Sequence, residues 1–247
     1  MVLGSALDIF SRSGFSYLSR WSHVFVGITW IGLLYFFNFV QVPAYAEMEP
    51  AARNNALDKL TYRALWWFRW AAAATLVSGI LLLIFQEQYE GDFIRSPGGV
   101  AIYAGILLAV TMFLNVWLII WPNQKIVIAN ARNVQAGGEA DPNAAAAARK
   151  SALASRQNTI FSLPMLVFMV GTSHFPYDVG IDTSGSKRTV FWIIWIVIWG
   201  LFELNALGFA GTKPGGTRVI YDTHRNAIIT SFVYSAVALV LYAYILT

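Results

Sequence analysis

The sequence contains no cysteine at all among its 247 residues, which removes disulfides, thiolate-ligated iron–sulfur clusters and covalently attached c-type haem together. Any metal or haem would have to rest on histidine, carboxylate or methionine. Charge is the second scarcity: Asp, Glu, Lys and Arg make up 12% of the chain, far below the quarter usual in soluble domains. The net charge of +4 is spread through connecting segments and forms no basic cluster interleaved with aromatics, so nucleic acid is excluded as a partner. Absent too are a Walker loop, a serine nucleophile elbow, an HExxH motif and a dinucleotide fingerprint. What remains is 57% hydrophobic and 15% aromatic, a composition suited to a lipid bilayer as solvent.

Crossing the hydrocarbon takes about 20 apolar residues, and runs of that kind number about six. They lie at residues 21–42, 64–85, 100–121, 160–175, 189–210 and 227–246. The fourth is short, but Asp141-Pro142-Asn143 and the alanine run after it form a helix start, so its helix is expected to begin near Ala144. Pro164 is expected to kink it. Apolar and polar residues interleave before Arg20, which predicts an N-terminal interfacial helix. The fold class is therefore an all-α integral membrane protein, one domain over residues 1–247.

Lys and Arg crowd one set of alternate loops, including residues 47–63, 122–159 and 211–225. By the positive-inside rule those loops face the cytoplasm and both termini face outward, which in a bacterium places the chain in the inner membrane.

Polar side chains within spans need an explanation, because each costs several kcal/mol in lipid unless partnered. His23 and His174 fall at the outer ends of the first and fourth spans. Two neutral imidazoles from different helices are the axial pair of a b-type haem, and Gly27, one turn from His23, would leave room for a macrocycle. Equally, each is an interfacial residue bonded to a carbonyl or headgroup. Toward the cytoplasm lie Arg69, Asn115 and Glu203, with His224 just before the sixth span. Opposite charge at matching depth predicts an Arg69–Glu203 ion pair or, alternatively, a pocket for an anion. Trp192, Trp195 and Trp199 recur at helical spacing and read as a lipid-facing or packing stripe.

Several stretches together resemble the membrane domain of the bacterial cytochrome c-linked urate oxidases, the urate oxidase N-terminal family. They are Arg20-Trp21-Ser22-His23, Gly27 to Gly32, Trp67 to Ala71, Pro122 to Lys125, Ser162 to Met165 and Ser173 to Pro176. The resemblance implies a membrane redox module that passes electrons to cytochrome c on the outer face, the cytochrome being a domain after the last span in longer members. This sequence carries no haem-attachment motif, which reads as a short form with a separate periplasmic cytochrome c as partner. It also has Gln157 where a family histidine is expected before the fourth span. A haem-dependent oxidoreductase is one reading. An accessory subunit of a larger respiratory or photosynthetic complex is the other.

Overall fold

The computed structural model describes residues 8–175, 183–209, 211 and 213–246, which are almost wholly helical and contain no strand. Six long helices stand among them: α1 Arg12–Glu47, α2 Pro50–Phe85, α3 Pro97–Gln135, α4 Ala144–His174, α5 Gly185–Leu207 and α6 His224–Leu246. All but α4 are long and apolar enough to cross a membrane. The chain is thus a multi-pass helical membrane protein.

The helices outrun the expected spans at one end of the bundle. The segment expected to be a loop between the first two spans is helical except at Met48–Glu49, where Pro50 takes the first-turn position and starts α2. At the other end of α1, Ser11 caps the helix by accepting the Gly14 N–H at 3.1 Å. Residues 12–20 therefore continue directly into the first span. The separate interfacial helix expected there is replaced by one unbroken helix over the described residues.

Proline does not close the first or third helix, because a widened turn precedes it. Residues Phe36–Gln41 and Asn115–Ile120 form π-helical turns just before Pro43 and Pro122. Proline lacks an N–H and its ring clashes with the carbonyl four residues back; a wider turn at that point lets the helix pass through. A third π segment, Leu57–Thr61, lies in α2. These turns aim Asn38, Gln41, Thr61 and Asn115 inward, where all four are buried.

Helix α4 is the hub, packed against α1, α3, α5 and α6. Its low apolarity follows from that place, since a helix enclosed by protein can carry polar groups if neighbours satisfy them. Asn38 donates to Ser155 at 2.9 Å, Gln124 to Ser151 at 2.8 Å, and Tyr35 meets Ser162 at 2.9 Å. On the far side of α4, Phe161, Phe168, Trp195, Tyr234 and Tyr242 interlock through stacked and edge contacts. Trp195 is fully buried and Trp199 donates to Thr111 at 2.9 Å, so the tryptophan stripe of α5 belongs to packing.

Candidate functional site: buried amides around Glu203

Tyr35 and Ser162 mark the line along which α1 and α4 meet. His23 lies twelve residues before Tyr35 and His174 twelve after Ser162, so both sit at the same end of the bundle. Twelve residues are about three and a third turns, which rotates each imidazole about a third of a turn off the shared line. The neighbours agree. Nδ1 of His23 lies 3.0 Å from the Thr75 carbonyl and 3.2 Å from the Ser78 hydroxyl, and its ring edge rests on Gly79 of α2. Gly27, expected to make room for a macrocycle, faces open space.

His174 is exposed, with Nδ1 3.2 Å from the Val170 carbonyl of its own helix. It edges an apolar groove of about 460 Å³ between α4 and α6, lined by Leu166, Val170 and Phe232 among others. The two rings therefore have separate partners and do not converge on one iron. The bis-histidine haem expected from the sequence does not fit this arrangement.

The expected ion pair also fails. No carboxylate lies within ion-pair distance of Arg69 among the described residues. Its guanidinium instead lies over the ring of Trp121 at 3.9 Å, with Trp117 at 5.6 Å and Trp70 at 5.9 Å. Cation–π attraction to three rings explains how the charge is tolerated without a counter-ion. His224 opens α6, and its side chain makes no hydrogen bond among the described residues.

Asn115 and Glu203 are brought together, as expected, but their third companion is Gln157. Asn115 and Gln157 flank the Glu203 carboxylate. Asn115 donates to Asn158 at 3.1 Å, and Asn158 donates to the Met112 carbonyl at 2.9 Å, which locks both asparagines. Gln157 is wholly buried with its amide beside the Glu203 carboxylate but outside hydrogen-bonding geometry, so neither its Nε2 nor its Oε1 has a well-formed hydrogen bond, and the same holds for Oε2 of Glu203. Leaving a buried polar atom unpaired costs about 1–3 kcal/mol, so three at one point mark a place built for something other than packing.

The segment between α5 and α6 closes the site at the loop end. Gly208 ends α5 in the left-handed region at φ 91°, which glycine adopts without strain. The chain returns so that Tyr221 donates to the Phe202 carbonyl at 3.0 Å and Arg156 donates to the Tyr221 and Asp222 carbonyls at 2.5 and 2.9 Å. Asp222 accepts from Arg149 at 2.9 Å and from the Gly215 N–H at 2.8 Å. Partial burial pushes the Asp222 carboxyl up, but the Gly215 and Arg149 hydrogen bonds outweigh it and hold it below the usual aspartate range. Burial and the nearby Glu203 charge push the Tyr221 phenol well above its ordinary value, so it stays a neutral donor.

Sequence reasoning treated Gln157 only as a missing histidine. The available signal was the polar series Ser151, Ser155, Asn158, Thr159 and Ser162, whose spacing makes one stripe on α4 and says that this helix is enclosed by protein. Chemically, a carboxyl group flanked by amides in a low-dielectric interior can hold and release a proton. It can equally grip a ligand that carries N–H and C=O groups side by side.

Comparison with known proteins gives no match among the curated proteins and none among the solved structures. The family model described as urate oxidase N-terminal matches residues 88–206, which take in Asn115, Gln157, His174 and Glu203 and leave His23, Arg69 and His224 outside. From Gln88 to Ala206, through α3, α4 and most of α5, the chain is similar to the urate oxidase N-terminal family.

Proposed function

We propose that the chain is a membrane module of an oxidoreductase system of the urate oxidase N-terminal kind, and that its working site is the Asn115–Gln157–Glu203 group. In this reading electrons from the oxidation of urate pass to a separate cytochrome c on the outer face, while Glu203 takes up a proton released with them. The observation that carries it is the convergence of polar side chains from α3, α4 and α5 at one point, with both amide atoms of Gln157 buried and unpaired. Supporting it, all three residues lie within the stretch matched by the family model, whereas His23 does not. The accessory-subunit reading draws on one observation, the separate partners of His23 and His174.

The test is urate-dependent reduction of added cytochrome c by membranes containing the protein. Wild-type and His174→Ala membranes should both support it, and Glu203→Gln membranes should not. No urate-dependent reduction in wild-type membranes would refute the redox reading and favour the accessory one. Loss in His174→Ala with retention in Glu203→Gln would move the site to the histidines.

A further inference from the structure

We propose that Arg69, Trp117 and Lys125 form a binding site for a phosphate-type anion, with an acidic phospholipid headgroup as its occupant. The π turn at Asn115–Ile120 sets Trp117 and Trp121 on one side of α3, facing Arg69 of α2. The guanidinium carbon sits over the Trp121 ring at 3.9 Å, and a guanidinium attracted to a ring by its face keeps its N–H groups for hydrogen bonds in its own plane. Nε of Arg69 is buried without a partner, and so is Nε1 of Trp117. Lys125 is exposed and places a second positive charge 5.8 Å from the same Trp121 ring.

Every unmet group here is a donor. No acidic side chain is paired with Arg69, and neither buried donor has an acceptor among the described residues. A ligand that completes the site must bring negative charge and several acceptor oxygens, which describes a phosphate and excludes a cation or an apolar tail as head-first occupant.

Depth selects the source. Arg69 lies seven residues beyond Tyr62, about 10 Å along the helix, among exposed Trp66, Trp67 and Trp70. Tryptophan belts mark the headgroup level of a bilayer, so the phosphate at this depth belongs to lipid, with its acyl chains beside the exposed indoles. The charge distribution assigns this end of the bundle to the cytoplasmic leaflet, where acidic lipids concentrate. The inference is independent of the Glu203 site.

The experiment compares melting of the purified protein in phosphatidylcholine nanodiscs, in nanodiscs with added phosphatidylglycerol, and in phosphatidylcholine with inorganic phosphate. Phosphatidylglycerol should raise the melting temperature and be retained selectively in native mass spectra. Arg69→Gln should abolish both effects. Lys125→Gln, a surface change that leaves the fold intact, should weaken phosphatidylglycerol retention about fivefold. Should Arg69→Gln not fold, Lys125→Gln and Arg69→Lys still decide, the latter keeping charge but losing the planar guanidinium and its several N–H donors. A response to inorganic phosphate and none to lipid would support the anion site while assigning it a soluble occupant. Equal retention of both lipids with no response to phosphate, or full retention in Lys125→Gln and Arg69→Lys, would overturn the proposal.

Discussion

Gln157 separates structure from function at the level of one side chain. Its amide is buried and unpaired, so replacing it with leucine removes two unmet polar atoms while roughly preserving volume. A substitution that merely affected packing would be neutral or stabilising, because apolar groups suit that environment better. Gln157→Leu should therefore melt in detergent at or above the wild-type temperature. His23 behaves in the opposite way. Its bond to the Thr75 carbonyl links α1 to α2, so His23→Ala should cost about 1 kcal/mol of stability and leave the visible spectrum of the purified protein unchanged. A low-spin haem band lost on that change would restore the bis-histidine site.

The segment between α5 and α6 is held by charge at the level of the element. Asp222 ties Gly215 to Arg149, and its carboxyl is held below the ordinary aspartate value. A depressed folded value gives stability that is present above the unfolded aspartate value and is lost as pH falls through the folded one. Amide exchange across residues 213–222 should be protected at neutral pH and lose protection in that acid range, beyond the intrinsic pH effect. Asp222→Asn should remove this dependence and cost about 1.5–3 kcal/mol at neutral pH. Exchange that follows only the intrinsic pH profile in both proteins would show that the clamp contributes nothing.

Elements were legible in the sequence where apolar runs were long, and less so where polar residues shaped the helices. The start of α4 near Ala144 could be read from Asp141-Pro142-Asn143, because a turn signal before an alanine run has few other outcomes. The passage of α1 and α3 through Pro43 and Pro122 could not, since proline normally ends a helix and the π turn that admits it leaves no composition signal. Arg69 and Glu203 were matched by charge and depth, but rotation about the helix axis decides contact. Residue counting alone does not fix that rotation against three competing indoles. The same rotation separates His23 from His174.

The whole molecule places the amide–carboxyl site near the end where the helices project and the basic loops gather. Cysteine introduced at Gly185 should react with an impermeant maleimide in intact cells, and one at Ala136 should not, if the basic loops face the cytoplasm. The reverse pattern would put the Glu203 site and the Arg69 site on the outer side. The claim on which the functional account rests is that Gln157 and Glu203 do chemistry within a membrane module of the urate oxidase kind. Its most direct test is the rate of urate-driven cytochrome c reduction by Gln157→Leu membranes, compared with wild type at equal amounts of folded protein. The account predicts a protein as stable as wild type whose rate falls at least about tenfold, equivalent to about 1.4 kcal/mol of lost stabilisation. A stable Gln157→Leu protein with the full wild-type rate would contradict it.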